Sequence, residues 1–206
     1  MLPKNLTVVN HPLVQELITK IGDRTIDAFL FREYCNRVSR MLIYEVLHDV
    51  KEEKIAFVAI LRAGMAMLGA AMETYPQGEF HLIGMRRDLE NPYEKKPQFY
   101  LDKLHEINSD TKRIIILEPM LATGGSLIAT LEAIAQHREL NTARIQIVAL
   151  NTAKFGAEAL LKTFPKVQIF TAAFFPELNK KAYIVGGLGD AGERFFGIQS
   201  DPEHIQ

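Results

Sequence analysis

The chain has 206 residues, of which 48% are hydrophobic, and a formal net charge of −1. This length fits one large domain, or a core domain with a small appendage, and the apolar fraction is enough to build a core without disulfides or metals. The near-neutral charge excludes a global positive field that would attract nucleic acid or an anionic membrane.

Three further features bear on the compartment. The single cysteine, Cys35, excludes an internal disulfide framework and indicates a reducing environment. The first residues show no basic region followed by an apolar stretch, so we expect no signal peptide. The longest apolar run, Ile55–Leu61, is far shorter than a membrane span. These features predict a cytoplasmic protein.

The first third of the chain is predicted to be mainly helical. Phe31, Cys35, Val38, Leu42 and Val46 recur three or four residues apart, with charged residues between them. This spacing places all five side chains on one apolar helix face. Cys35 is therefore predicted to be a core residue.

Short β-rich segments then alternate with helical patterns. The predicted strands are residues 55–60, 80–85, 113–118, 144–150 and 167–174, and the predicted helices are residues 64–73, 126–137 and 157–164. Several strands are apolar almost throughout, as is typical of strands covered on both faces. The alternation predicts an α/β fold with a mainly parallel sheet flanked by helices. In such sheets ligands bind where strands end and helices begin.

One of these junctions carries the strongest chemical signal. The strand that starts at Arg113 continues into Glu118-Pro-Met-Leu-Ala-Thr-Gly-Gly-Ser126 and then into an amphipathic helix. The glycines allow the backbone to approach an anion, the helix start adds unpaired N–H groups, and the threonine and serine add hydroxyl donors. This pattern suits a phosphate monoester, although a capped helix start without a ligand is the alternative. A nucleoside triphosphate loop is disfavoured because no lysine follows the glycines.

Charged residues at other strand ends extend this pattern. Glu118 either accepts hydrogen bonds from the two hydroxyl groups of a ribose or is a solvated residue at a strand end. Arg62 and Arg87 each follow a predicted strand, where a guanidinium group can bind an anion, and surface solvation is the alternative for either one. The six histidines have no spacing typical of metal ligands.

Together these segments resemble the uracil phosphoribosyltransferase family. Residues 118–126 are similar to its loop for phosphoribosyl pyrophosphate (PRPP), which usually reads D-P-M-L-A-T-G-G-S. The resemblance covers nearly the whole chain in the family's order, through His11-Pro-Leu-Val14, Phe31-Arg32, Tyr44-Glu45, Ile60-Leu-Arg-Ala-Gly64, Gly84-Met-Arg-Arg-Asp88, Leu178-Asn179, Tyr183-Ile184 and Gly187-Leu-Gly-Asp-Ala-Gly192. The last of these segments also fits a dinucleotide-binding fingerprint, but too few residues follow it for a βαβ unit.

The resemblance implies a pentosyltransferase that converts uracil and PRPP to uridine monophosphate and pyrophosphate. It implies a single domain over residues 1–206, with residues 175–206 contributing a base-binding hood. The implied PRPP contacts are Arg62, Arg87, Glu118, Pro119, Met120, Leu121, Ala122, Thr123, Gly124, Gly125, Ser126 and Asp190, and the implied catalytic residues are Asp190, Arg62 and Arg87. The implied uracil contacts are Ile184, whose carbonyl group accepts from N3–H, and Gly189, Asp190 and Ala191.

The resemblance also implies a cofactor and partners. Mg²⁺ (magnesium) is expected to bind mainly through the substrate, as this hard ion often does. A homo-oligomer, specifically a dimer, and a GTP effector belong to the same expectation. Between Tyr44-Glu45 and Leu61-Arg62, however, the chain lacks room for the family's protruding β-arm. The usual contact between subunits through this arm therefore stays open.

Several residues depart from the family's usual pattern. Glu118 replaces an aspartate, Arg86 a tyrosine, Phe175 an aspartate and Gly186 a proline, and Ala153-Lys-Phe-Gly156, which contains Phe155, stands where A-P-E-G is common. Most of these departures lie near the base rather than near the phosphates. Two alternatives therefore stay open, a phosphoribosyltransferase for another base and a catalytically weak regulator that binds PRPP or a nucleotide.

Overall fold

The computed structural model describes residues 2–51, 53–86, 93 and 96–198. The strands in chain order are β1 (Leu6–Val8), β2 (Ile55–Leu61), β3 (Glu79–Arg86), β4 (Gln98–Asp102), β5 (Arg113–Leu117), β6 (Met120–Leu121), β7 (Ile145–Ala153) and β8 (Gln168–Phe175). The helices are α1 (Pro12–Gly22), α2 (Ala28–Val46), α3 (Met65–Thr74), α4 (Gly125–His137), α5 (Lys154–Thr163) and α6 (Ala191–Phe196). Among these described residues, no helix is both long and apolar enough to cross a membrane.

The strands of the described residues form one sheet in the order β1-β8-β7-β5-β2-β3-β4, with the short β6 paired to β7. Every pairing is parallel except the antiparallel pair of β3 and β4 at one edge. The predicted α/β fold with a mainly parallel sheet is therefore confirmed. β2 lies between β3 and β5 and is parallel to both, so the carboxyl ends of these three strands lie side by side.

Both faces of the sheet are covered by helices, and β2 shows this most clearly. Even-numbered residues from Ala56 to Ile60 pack in a core with apolar residues of α4 and α5. Odd-numbered residues from Ile55 to Ala59 pack in a second core with α2 and α3. A strand covered on both faces has apolar side chains at every position rather than at alternate ones. This explains the continuous apolar runs in the sequence.

The helix predicted from the Phe31 to Val46 periodicity is α2, and all five residues of the pattern are fully buried. Burial raises the pKa of the Cys35 thiol to about 12, which suits an unreactive core cysteine. The predicted boundaries need small corrections. Glu118 lies just after β5 rather than within it, and Arg144 closes a short 3₁₀ turn before β7.

Four short elements were not predicted, namely β1, β4, β6 and α6. The mainly helical first third in fact begins with β1, which pairs with β8 at the edge of the sheet. β1, β6 and α6 are too short to show a helical or strand period, and β4 does not alternate apolar and polar residues. Their positions depend on which partners they meet after folding, and three of them, β4, β6 and α6, contribute to the site described below.

Candidate active site

A cavity of about 770 Å³ opens at the carboxyl ends of β2, β3 and β5. Of the residues predicted to bind substrates, those that line it are Arg62, Glu118, Met120, Leu121, Ala122, Thr123, Gly124, Ser126, Ile184, Gly189, Asp190 and Ala191. Pro119 and Gly125 are not part of its lining, and Arg87 lies outside the described residues. Three chain segments separated by about sixty residues each therefore meet at the switch point of the sheet, where α/β proteins bind ligands.

The loop between β5 and α4 is held by close backbone contacts. Gly124 has a left-handed φ of 84°, and a Cβ there would lie 2.8 Å from the carbonyl oxygen of Gly156. Gly156, in the first turn of α5, has no room for a Cβ either, because the carbonyl oxygen of Ala122 occupies that space. The two glycines allow the loop to lie directly on α5. The amino end of α4, with its unpaired N–H groups and positive dipole end, therefore faces the cavity.

Basic residues gather around the same cavity. Arg62 directly follows β2, after a cis peptide bond between Leu61 and Arg62, and lines the cavity. Arg86 and Lys96 also line the cavity, and Lys96 pairs with Glu132 at 2.9 Å. Neither was predicted to bind substrate. Arg86 ends the strand beside β2, which is a usable signal, whereas Lys96 reaches the cavity only because β4 turns back along β3.

Two carboxylates in the cavity wall are held in different ways. Glu118 is buried at the end of β5, and its backbone N–H donates to Val148 at 3.1 Å. Asp190 caps the amino end of α6, where its Oδ1 accepts from the backbone N–H of Glu193 at 2.8 Å. Asp190 is thereby oriented by the helix that follows it. The cavity thus combines the start of α4, basic side chains and the carboxylates of Glu118, Asp190 and Glu193.

The segment expected to bind the base is a tight turn followed by a glycine-rich loop. Leu178 and Ile184 form an antiparallel bridge, and the side chain of Asn179 accepts from the N–H groups of Lys181 and Tyr183, each at 3.0 Å. The carbonyl oxygen of Ile184 accepts from the N–H of Gly187 at 3.0 Å. A carbonyl oxygen has two lone pairs, so this bond leaves one for a ligand donor.

The residues that depart from the family's usual pattern near the predicted base-binding segment fit their surroundings. Gly186 has a φ of 75°, which proline cannot adopt, and a Cβ there would lie 3.6 Å from the ring of Phe175. Phe155 packs edge-to-face on Tyr93, with ring centroids 5.6 Å apart. The hydroxyl of Tyr93 in turn donates to the carbonyl of Asn179 at 2.7 Å. Phe155 is therefore connected to the turn at Asn179 through Tyr93, and Phe175 lies beside Gly186.

Solved structures place this fold in a known class. A protein from Aquifex aeolicus matches with a TM-score of 0.82 and 29% identity, over 95% of this chain and all of that one. The adenine phosphoribosyltransferase of Trypanosoma brucei, solved with AMP, pyrophosphate and ribose 5-phosphate, matches with a TM-score of 0.60 and 13% identity, over 84% and 85% of the two chains. The second likeness concerns the fold alone. The fold is that of the type I phosphoribosyltransferases.

Sequence relatives narrow the class to a family. The profile of the family described as uracil phosphoribosyltransferase matches residues 48–198. Proteins of that name from Dictyoglomus turgidum and Limosilactobacillus fermentum are 36% and 38% identical to this chain, over 93% of it and over 99% and 98% of their own lengths. The chain belongs to the uracil phosphoribosyltransferase family, which confirms the resemblance seen in its motifs.

Proposed function

We propose that this chain transfers the phosphoribosyl group of PRPP to N1 of uracil, releasing pyrophosphate and forming uridine monophosphate. The observation that carries the proposal is that one cavity is lined by the phosphate loop, by Arg62 and Glu118, and by the glycine-rich loop at residues 189–191. Membership of the family supports uracil as the base. We also propose one phosphoribosyltransferase domain in which residues from 175 onward act as the base-binding hood.

The sugar phosphate is assigned to the loop before α4. The 5-phosphate would accept hydrogen bonds from the backbone N–H groups and hydroxyls of residues 123–126, at the positive end of the helix dipole. Glu118 would accept from the two ribose hydroxyls. Its burial strengthens such hydrogen bonds because the local dielectric constant is lower than that of water.

The diphosphate is assigned to the basic side of the cavity. Arg62, which lines the cavity, would contact the diphosphate. Arg87 is proposed as its partner from the sequence motif. Arg86 and Lys96 add positive charge to the same wall. Among the described residues no three His, Cys, Asp or Glu side chains cluster as a metal site. From the family resemblance we propose that Mg²⁺ would be held chiefly by diphosphate oxygens and water, where it would neutralise charge on the leaving pyrophosphate.

Chemistry then consists of one displacement. Uracil N1 attacks the anomeric carbon of the ribose, the bond from that carbon to the pyrophosphate oxygen breaks, and N1 loses its proton. Positive charge grows on the sugar and negative charge on the leaving group, so positioning and fixed charges supply most of the rate. We assign to Asp190 either acceptance of the N1 proton or orientation of the ribose.

Base selection tests the proposal most directly. Uracil presents an N3–H donor, which suits the Ile184 carbonyl, between two carbonyl acceptors, which suit the N–H groups of residues 189–191. Cytosine has an acceptor at N3 and an exocyclic amine donor, so buried groups would be left unpaired. Sites of this kind reject a mismatched analogue by roughly 10⁴-fold or more.

The experiment compares initial rates for uracil, 5-fluorouracil and cytosine with saturating PRPP and magnesium. We expect turnover of the first two bases and essentially none of cytosine. Equal rates for cytosine and uracil would contradict this assignment of the base pocket. PRPP binding without turnover of any base would instead favour the regulator. A homodimer and a GTP effector are proposed from the family resemblance alone.

A further inference from the structure

Two arginines outside the cavity hold the loop that leads into the base-binding residues. Arg24, in the turn between α1 and α2, donates from Nη1 to the carbonyl oxygen of Leu188 at 2.5 Å and from Nη2 to that of Gly187 at 2.9 Å. Arg194, in α6, donates to the same Leu188 oxygen at 3.0 Å. The Leu188 oxygen thus receives two donors, which occupy both of its lone pairs.

Arg194 also ties this loop to the helical layer. Its guanidinium donates to the carbonyl oxygens of Ile21 and Asp23, each at 2.6 Å, and lies 4.3 Å from the ring centroid of Phe31. The last carbonyl groups of a helix lack partners within the helix and carry its negative dipole end, so a cation at the end of α1 is favourable. The ring of the fully buried Phe31 adds a cation–π contact.

The surroundings of these two cations disfavour their charged forms. Burial and then the nearby charge of Arg24 lower the pKa of Arg194 to about 10, and burial lowers the pKa of Arg24. Within the described part of the chain, neither arginine forms a salt bridge with a carboxylate. Both still carry their charge at neutral pH, and both donate to backbone carbonyl groups. A guanidinium presents five N–H donors in a fixed plane, so one side chain can hold several carbonyl oxygens in a defined geometry.

Gly189 connects this arrangement to the cavity. The guanidinium of Arg24 occupies the space that a Cβ on Gly189 would need, so the glycine lets Arg24 approach the loop from behind. The carbonyl of Leu188 and the N–H of Gly189 belong to one planar peptide unit. Fixing the carbonyl oxygen with two arginines therefore also fixes the direction of the Gly189 N–H.

We propose that Arg24 is a positioning residue of the nucleobase subsite, acting with Arg194 to orient the N–H groups that begin at Gly189. The inference rests on the proposed function, since it assigns these N–H groups to a carbonyl oxygen of uracil. The phosphate loop and Arg62 belong to other elements, which the two arginines do not contact through any of the hydrogen bonds above. Loss of Arg24 should therefore affect the base most, and should affect PRPP only through Asp190, which follows Gly189 in the same loop.

The kinetic experiment compares Arg24→Met, Arg24→Lys and Arg32→Met. Arg32 is the matched control because it also donates to a backbone carbonyl near α6, that of Phe195 at 2.8 Å, without touching the loop. Arg24→Met should raise KM for uracil roughly tenfold, the loss of a charge-assisted contact, with a much smaller change in KM for PRPP. Arg24→Lys should restore part of the loss, since an ammonium group can reach one of the two carbonyl oxygens. Arg32→Met should change neither constant.

Equal rises in both constants, or an unchanged KM for uracil in Arg24→Met, would overturn the inference. A second measurement decides it without catalysis. Amide hydrogen exchange at Gly187, whose N–H donates to the carbonyl oxygen of Ile184 at 3.0 Å and whose own carbonyl is held by Arg24, should be faster in Arg24→Met than in Arg32→Met, while exchange in α4 is the same in both. An unchanged rate at Gly187 would refute the positioning role. Wild-type protein that fails to use uracil would refute the proposed function, and the exchange result would still decide the role of Arg24.

Discussion

At the scale of single residues, the phosphate loop depends on two glycines that touch. Gly124 and Gly156 lie on different elements, and each leaves no room for a Cβ because of a carbonyl oxygen that belongs to the other's segment. The departure from A-P-E-G at residues 153–156 keeps this glycine while changing the two residues before it. The contact that shapes the loop is thus retained although its neighbours differ.

Gly124→Val should therefore abolish measurable PRPP binding. A β-branched side chain is strained at a φ of 84°, and its Cβ would overlap the backbone of α5, so the loop has to move away from the anion. We expect PRPP affinity to fall by at least roughly a hundredfold, measured by titration calorimetry. Gly156→Ala should weaken binding in the same direction. Lys154→Ala, at an exposed position of the same helix, should not. Unchanged PRPP affinity in folded Gly124→Val would remove the phosphate assignment.

At the scale of elements, α2 is a helix whose buried face packs on β7 and β8. Its fully buried residues include Phe31, which also supports Arg194. The helix begins at an exposed cap, where Asp27 accepts a hydrogen bond from the N–H of Leu30 at 2.8 Å. The packing of α2 and its start are therefore separable contributions to stability.

Asp27→Ala should lower the free energy of unfolding by about 1 kcal/mol, because it leaves an N–H group at the helix start without its partner. Asp27→Asn should retain most of the stability, since its amide oxygen can accept the same bond. Urea denaturation measures both, and the midpoint should shift while the slope stays constant. An alanine variant as stable as the wild type would show that the cap contributes nothing.

At the scale of the whole molecule, the carboxyl ends and the amino ends of the parallel strands differ in chemistry. The cavity lies at the carboxyl ends, whereas charged side chains at the amino ends form ion pairs and hydrogen bonds with other residues of the protein. There the buried Arg113 pairs with Asp49 at 2.8 Å and with Glu53 at 3.1 Å. Glu79, at the start of β3, accepts from the N–H of Asn108 at 3.1 Å and from the hydroxyl of Thr111 at 2.9 Å.

Glu79 should make stability depend on pH in the acid range. Burial raises its pKa, but the hydrogen bonds from Asn108 and Thr111 outweigh burial, and the pKa is lowered from 4.5. A carboxyl group with a lowered pKa stabilises the fold above its ordinary pKa, and this contribution is lost as the pH falls below that value. Glu79→Gln should therefore be less stable at pH 7 and should lose less stability on acidification. Urea denaturation from pH 7 to pH 3 measures this. An equal loss of unfolding free energy between pH 7 and pH 3 in Glu79→Gln and the wild type would contradict this prediction.

The sequence by itself determined the elements and chemistry that are written locally. The apolar runs of β2, β5 and β7, the periodicity of α2 and the glycine-containing loop before α4 are patterns of neighbouring residues, and each was found where it was predicted. Arg62 and Glu118 could be predicted as site residues because each directly follows a strand of a parallel sheet, where ligands bind.

Only the tertiary structure decided which distant segments support these residues. Arg24 and the Leu188 carbonyl that it holds are 164 residues apart, and Lys96, just before β4, lines the cavity because β4 pairs with β3. Gly124 and Gly156 likewise meet because β6, just before Gly124, pairs with the end of β7, and α5, which contains Gly156, begins directly after β7. Such contacts depend on the order of strands in the sheet. No local pattern encodes that order, because it is chosen by the packing of the whole core.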